Sequence, residues 1–256
     1  MAKLNDLIKK ATRPDPNQMG FGALAQKAQP SILLVALVSD HWSRAVSDAV
    51  AAGANAIVLQ GKPAERDIAD AVAAAGDAPV GVTLGDASME VLPKLREAKA
   101  DFVIVGPNAP AAALIEEELA IVLQLHEELS DVQLRALEPW SLDAIFLDRE
   151  IAPATIMKVL ELQRVGGLAR KPLLVPLPID STKDDLLALR DAGVAMLGVD
   201  TKERGALDSL QKFRETIAAL PRKRPRKDDK REAFLPTGGG GGAGHEHGDE
   251  EDDDDE

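Results

Sequence analysis

The side chains best suited to chemistry in this chain sit where apolar runs end. AIFL (144–147) passes into Asp148, with Arg149 and Glu150 beside it and Pro153 ahead of the next helical pattern. LAIVLQL ends on His126 and Glu127, ILLVALVS on Asp40 and His41, and AMLGV on Asp200. AIVLQG is followed by Lys62, and two further runs stop at Asp86 and Asp180. An imidazole exchanges protons near neutral pH, so His41 and His126 are candidate general bases. Asp148 joins them as a candidate catalytic carboxylate. Lys62 and Arg149 are candidate partners for an anionic ligand, with Gly198 and Asp200 beside them on the last run.

Six of the eight run ends carry an acid. A ring of carboxylates can hold a divalent cation that polarises a carbonyl or enolate oxygen. The same residue type has a plainer use, because Asp before a helix caps its free backbone N–H groups. Ser181 to Asp184 and Asp200 to Glu203 have the three-residue spacing of a capping box, and simple capping competes with catalysis for each acid. The histidines have a structural alternative as well, and Lys62 reads equally as a solvated surface residue. No strand interior contains a lysine, which disfavours Schiff-base chemistry. Phosphate could be met by backbone N–H groups of Gly198–Thr201. The preceding loop, PLPIDST, brings prolines and Asp180 where a glycine would suit an anion.

These run ends need elements to hold them. AAGANAIVLQG (51–61), EAKADFVIVGP (97–107), WSLDAIFLDRE (140–150) and DAGVAMLGVD (191–200) repeat one phrase about every 45 residues. Each is a helix end, a small turn, an apolar strand, then Gly or Asp. Four more apolar runs lie between them: ILLVALVSD, PVGVTLGD, LAIVLQLHE and PLLVPLPID. All are continuous rather than alternating, as strands of a parallel sheet buried on both faces must be. Segments with helical spacing of apolar residues fill every gap, including SMEVLPKLREAKA, APAAALIEEE and DVQLRALEPW. Eight strands alternating with eight helices over 31–220 predict an α/β fold, a compact (β/α)8 TIM barrel. An open doubly wound sheet is the competing arrangement. In such a barrel the strand C-termini carry the chemistry, which is where the residues above lie.

Residues 1–30 read as an amphipathic helix (Leu4, Leu7 and Ile8 against Lys3, Lys9 and Lys10) and a Pro/Gly linker. The helix is expected to cover one barrel mouth, with membrane-surface or partner binding as the alternatives. Residues 221–256 run from basic (PRKRPRKDDKR) through glycine-rich to acidic, a composition expected to stay disordered. The last twelve residues hold nine carboxylates and no Lys or Arg; without them the net charge rises from −13 to −4. HEH within the tail offers loose metal binding but no closed site. Cysteine is absent, which excludes disulfides, thiolate nucleophiles and Cys-ligated metal. The N-terminus lacks the apolar run of a signal peptide, and no segment is long enough to span a bilayer. The chain therefore reads as soluble and cytoplasmic, with nucleic acid disfavoured as a partner because the acidic tail masks the basic cluster.

LRALEPWSLDAIFLD (134–148) and LLALRDAGVAMLGVD (186–200) resemble the strand–helix phrasing of aldolase-type TIM barrels, particularly the FMN-dependent nitronate monooxygenase and IMP dehydrogenase-like groups. The resemblance implies that Gly198 contacts a cofactor phosphate, with FMN as the cofactor; a divalent metal is the other candidate. The catalytic motifs of those groups are missing. KPAERD stands where nitronate monooxygenases carry a Gly-Gly-His continuation, and the IMP dehydrogenase-like nucleophilic Cys is absent. Two readings stay open. One is a protein that binds or converts a small phosphorylated or carboxylated ligand at the strand C-termini, its reaction unassigned. The other is a catalytically degenerate barrel that serves as an interaction scaffold, with a protein partner on its charged tail and N-terminal helix.

Overall fold

Both faces of each apolar run are used. A computed structural model describes residues 2–12, 31–86, 89–149 and 151–221. The expectations for the 13–30 linker, Glu150 and the 222–256 tail lie outside these residues. The strands are β1 (Leu33–Val38), β2 (Ala56–Leu59), β3 (Val80–Gly85), β4 (Phe102–Val105), β5 (Ala120–Leu125), β6 (Ala144–Leu147), β7 (Leu173–Pro176) and β8 (Val194–Asp200). Each pairs in parallel with the next, and β8 pairs with β1 from Leu33↔Met196 to Leu37↔Asp200, so the sheet closes into a barrel. The fold is a (β/α)8 TIM barrel, and the open-sheet alternative is excluded.

Alternate residues divide the core. Leu33, Val35, Val58, Ile104, Phe146 and Met196 fill the barrel interior. Their neighbours in sequence, such as Leu34, Ile57, Val103 and Leu197, pack outward against the helices. One interior contact depends on a missing side chain. Gly81 lies opposite Phe102, whose ring occupies the space a Cβ at position 81 would take, with Cε2 only 2.2 Å from it. Any larger residue there would collide with the ring or displace it.

The helices are α1 (Lys3–Thr12), α2 (Trp42–Ala52), α3 (Glu65–Ala75), α4 (Leu92–Glu97), α5 (Asp131–Ala136), α6 (Ile156–Ala169), α7 (Lys183–Asp191) and α8 (Ala206–Ala218). One expected helix is different. APAAALIEEE forms a five-residue 3-10 turn, Ala111–Ile115, between β4 and β5. Pro107 and Pro110 take up the start of this connection, and β5 begins at Ala120, so too few residues remain for a helix of strand length. Helix ends also differ from the capping expectations. α7 is capped by Thr182 with Asp185 at N3, one residue later than Ser181 and Asp184. α8 begins only at Ala206, after Gly205 in a left-handed conformation (φ 90°), so Asp200 and Glu203 do not cap it.

Helix α1 closes the barrel floor. Leu4 and Ile8 are buried in the same apolar cluster as the interior strand residues. Asp101, just before β4, accepts the backbone N–H groups of Lys3 and Leu4 at 2.7 and 2.8 Å. The carboxylate thereby satisfies donors that a helix start leaves open and complements the positive end of its dipole. Asn5 Nδ2 donates to Asp143 Oδ1 at 2.6 Å, and Asp143 Oδ2 accepts from Ile121 N at 2.7 Å. Both carboxylates precede strands, so the covered mouth is the N-terminal one. The opposite mouth lies at the strand C-termini. Among the described residues no helix is long and apolar enough to cross a membrane.

Replacing Asp101 with Ala removes two charge-assisted hydrogen bonds from the helix start. The expected cost is about 1–2 kcal/mol, a fall of roughly 2–8 °C in melting temperature for a domain of this size. Thermal unfolding of Asp101→Ala beside Asp77→Ala, an exposed acid, checks it; equal melting temperatures would contradict the latch.

Candidate functional site

Strand alternation carries past the interior layer into the open mouth. Val122 points into the barrel, so Gln124 and His126 stand above it on the same face of β5 and its continuation. Phe146 is registered against Gln124, and two residues on from Phe146 comes Asp148. Asp148 Oδ2 accepts a hydrogen bond from Gln124 Nε2 at 2.8 Å and lies 3.5 Å from His126 Nδ1. The imidazole is 56% exposed and the carboxylate 39%, so both are reachable from solvent. A carboxylate facing Nδ1 favours the proton on that nitrogen and leaves Nε2 free to take or give one. The structure therefore brings together two of the expected catalytic residues, Asp148 and His126. The third, His41, stands apart. It occupies the residue before α2 in a left-handed conformation (φ 47°) and lines an outer groove of about 740 Å³ with Trp42, Asp67 and Asp70.

The candidate ligand-binding residues are dispersed. Lys62 is exposed on the β2–α3 connection. Asp200 turns back on its own loop, where Oδ1 accepts from Lys202 N at 2.9 Å. Gly198 is a strand residue inside β8, not part of a loop, and its carbonyl accepts from Leu177 N at 2.7 Å. A Cβ on Gly198 would meet Leu37 Cδ1 at 3.3 Å, so the bare α-carbon makes room for a core leucine. Arg149 points away from the mouth. It pairs with Glu161 on α6, and its Nη2 donates to the Glu127 carbonyl at 3.1 Å.

The expected ring of carboxylates is not assembled either. Asp86 is engaged by Asn108, through its N at 3.1 Å and its Nδ2 at 3.3 Å. Asp148 and Asp200 are engaged as described above. Among the described residues no group of three or more His, Asp or Glu stands together as a metal site. Asp86, Asp148 and Asp200 each have a partner on a neighbouring residue or strand rather than another acid.

Apart from Gln60, which ends the run before Lys62, several mouth residues do not stand out in the sequence. Ser39 Oγ donates to Gln60 Oε1 at 3.0 Å, and Thr83 Oγ1 is buried without a partner. Gln124 is the residue that fixes Asp148. A readable signal exists for all four: each is a polar residue at or near the C-terminal end of an otherwise apolar run, in the inward-facing register. Asp185 is another. Its Oδ1 accepts Ala154 N at 2.8 Å, and its Oδ2 accepts Thr182 N at 2.9 Å and Thr182 Oγ1 at 2.6 Å. It thereby ties the connection after β6, which carries Asp148, to the start of α7. The Ala154 N–H first, then the Thr182 hydroxyl and N–H with Lys158, hold this carboxyl below its ordinary range, against the opposing effect of burial.

No protein-family model matches the chain, and no curated protein matches it. Solved structures do. KGPDC from Streptococcus mutans superimposes with a TM-score of 0.58 at 13% identity, covering 73% of this chain and 99% of that one. A mutant tryptophan synthase alpha-subunit from Pyrococcus furiosus gives 0.57 at 14% identity, over 73% and 98%. Phosphoribosyl anthranilate isomerase from Thermus thermophilus gives 0.57 at 16% identity, over 74% and 100%. None of the three is a nitronate monooxygenase or an IMP dehydrogenase. At these identities the likeness establishes the fold alone, that of a (β/α)8 TIM barrel.

Because the folded-state pKa of Asp185 lies below its unfolded value, its stabilising effect is complete above that unfolded value, near 4. It is lost as pH falls through the folded value. Urea unfolding should show wild type more stable than Asp185→Asn by a constant margin from about pH 7 to 5, with the margin shrinking below about pH 4. A margin that grows on acidification would contradict the assignment.

Proposed function

We propose that this barrel is an enzyme for a small phosphorylated or carboxylated ligand, in which His126 moves a proton at the strand C-terminal mouth. The observation that carries the reading is the imidazole–carboxylate pair, with Asp148 fixed by Gln124 and facing His126 Nδ1 at 3.5 Å. Asp148 holds the tautomer in which Nε2 is the acceptor and stabilises the imidazolium once the proton has moved. Nε2 then takes a proton from a carbon or hydroxyl of the bound ligand and returns it to a neighbouring atom. Positive charge for the ligand's anionic group comes from exposed residues on the same rim: Lys62 after β2, Lys183 at the start of α7, and Lys202 and Arg204 after β8. The hydrogen-bonded Ser39 and Gln60 line the opposite wall and can orient a hydroxyl or carbonyl oxygen. One structural neighbour is, by its name, an isomerase of a phosphoribosyl compound, which agrees in ligand class. No observation on the described residues speaks for the scaffold alternative, whose charged tail lies outside them.

Hydrogen exchange in D2O tests this across a whole ligand class at once. Wild type, His126→Gln and Asp148→Asn are incubated with a panel of small phosphorylated and carboxylated carbonyl compounds, and deuterium uptake beside the carbonyl is followed by NMR. Wild type is expected to exchange at least one compound, and each variant to be slower by about 10²–10⁴-fold. Uptake that is equal in all three proteins, or absent from all, would overturn the reading.

A further inference from the structure

Asp148 and Arg149 are consecutive, so the end of β6 sends a carboxylate into the mouth and a guanidinium out toward the helix layer. The guanidinium joins three elements. It forms an ion pair with Glu161 on α6, its Nη2 donates to the Glu127 carbonyl at 3.1 Å, and its Nη1 lies 3.8 Å from Glu128. Glu127 directly follows His126. Arg149 thus holds the backbone beside the imidazole with one arm and belongs to the residue beside the carboxylate with its own main chain.

Gln124 fixes the Asp148 carboxylate, but few backbone contacts set its distance from His126. The β5–β6 ladder registers residues only as far as Leu125↔Leu147, one residue short of both His126 and Asp148. Beyond it, Asp148 N donates to the Leu125 carbonyl at 3.1 Å, and His126 has already left the strand. Arg149 is only 21% exposed, Glu161 25%, and Arg149 Nε is buried without a partner. An unsatisfied buried N–H is unfavourable, so the placement is held by the charge-assisted contacts of the two terminal nitrogens. A planar fork that binds a carboxylate and a carbonyl at once fixes direction as well as distance, which a lysine cannot reproduce.

We infer that Arg149 is a positioning residue: through Glu161 and the Glu127 carbonyl it sets the separation of His126 and Asp148 across the gap between β5 and β6. It touches no ligand and acts through the pair. The inference rests on the proposed proton-transfer reading only for its functional consequence, because the geometry itself can be read in the ligand-free protein.

The experiment uses full-length protein labelled with ¹⁵N-histidine, with the His126 signals assigned by their loss in His126→Gln. In wild type the His126 ¹⁵N shifts are expected to report protonation mainly at Nδ1. In Arg149→Met the two tautomers should approach the mixture of a free imidazole, with Arg149→Lys in between. Glu161→Gln, which keeps the arginine and loosens its anchor, should shift the balance in the same direction and serves if Arg149→Met does not fold. Deuterium exchange by Arg149→Met should fall by about 10–100-fold, while the far-UV circular dichroism spectrum stays that of wild type. His126 shifts unchanged in folded Arg149→Met, or in Glu161→Gln, would overturn the inference. If the shifts move but His126→Gln and Asp148→Asn leave exchange intact, the positioning stands and the catalytic reading falls.

Discussion

Closure of β8 onto β1 is the constraint on which the rest of this molecule depends. Five registered residue pairs form the seam, and Thr201 extends it, its N–H and hydroxyl both donating to the Leu37 carbonyl at 3.0 Å. A closed sheet has no free edge and must bury both faces, which is why the strands read as unbroken apolar runs. Closure also allots space inside. With Phe102, Phe146, Ile104 and Leu37 sharing one interior, glycine at 81 is a packing requirement, and glycine at 198 gives Leu37 room. Gly198 lies within β8 rather than in the loop after it.

A closed barrel has two mouths, and the chain treats them differently. At the floor, acids that precede strands are spent on α1: Asp101 caps it and Asp143 holds Asn5. At the other end, the strands finish in Ser39, Gln60, Thr83, Gln124 and Asp148, which form a polar layer above the apolar one. A carboxylate drawn partly out of water in this layer would be unfavourable without partners, and Asp148 has Gln124 and His126 beside it. The connections around it are braced by charge: Asp185 links the β6–α6 segment to α7, and Arg149 links β6, α6 and the β5–α5 segment. Short loops and fixed side chains make a preorganised mouth, which suits proton transfer, where alignment decides the rate.

Much of this is legible in the residues alone. Apolar runs at regular spacing encode β1 to β8, and the amphipathic pattern of Lys3–Thr12 encodes a helix with a buried Leu4–Ile8 stripe. The placement of Asp148 and His126 at the ends of adjacent strands is also readable, because strand order in a barrel follows chain order. What cannot be read is which partner each polar group chooses in three dimensions. The same residue type caps a helix at Asp185, holds a neighbouring loop at Asp86 and faces a histidine at Asp148. Arg149 looks like an anion ligand in the sequence because its neighbour is the mouth carboxylate; the pleat sends it to the opposite side. The β4–β5 connection keeps a helical apolar pattern, yet its two prolines and short length leave room only for a turn.

With the floor sealed by α1, the proposed function requires ligands to enter at the strand C-terminal mouth. Backbone amide shifts of the uniformly ¹⁵N-labelled chain, followed during titration with inorganic phosphate and, separately, acetate, test it most directly. Saturable shifts are expected on Lys62, Gln124, His126 and Asp148 and on the residues after β8, with Ala2, Asn5 and Trp140 at the floor unmoved. Saturable shifts grouped at the floor or in the groove between α2 and α3, with the mouth silent, would contradict it.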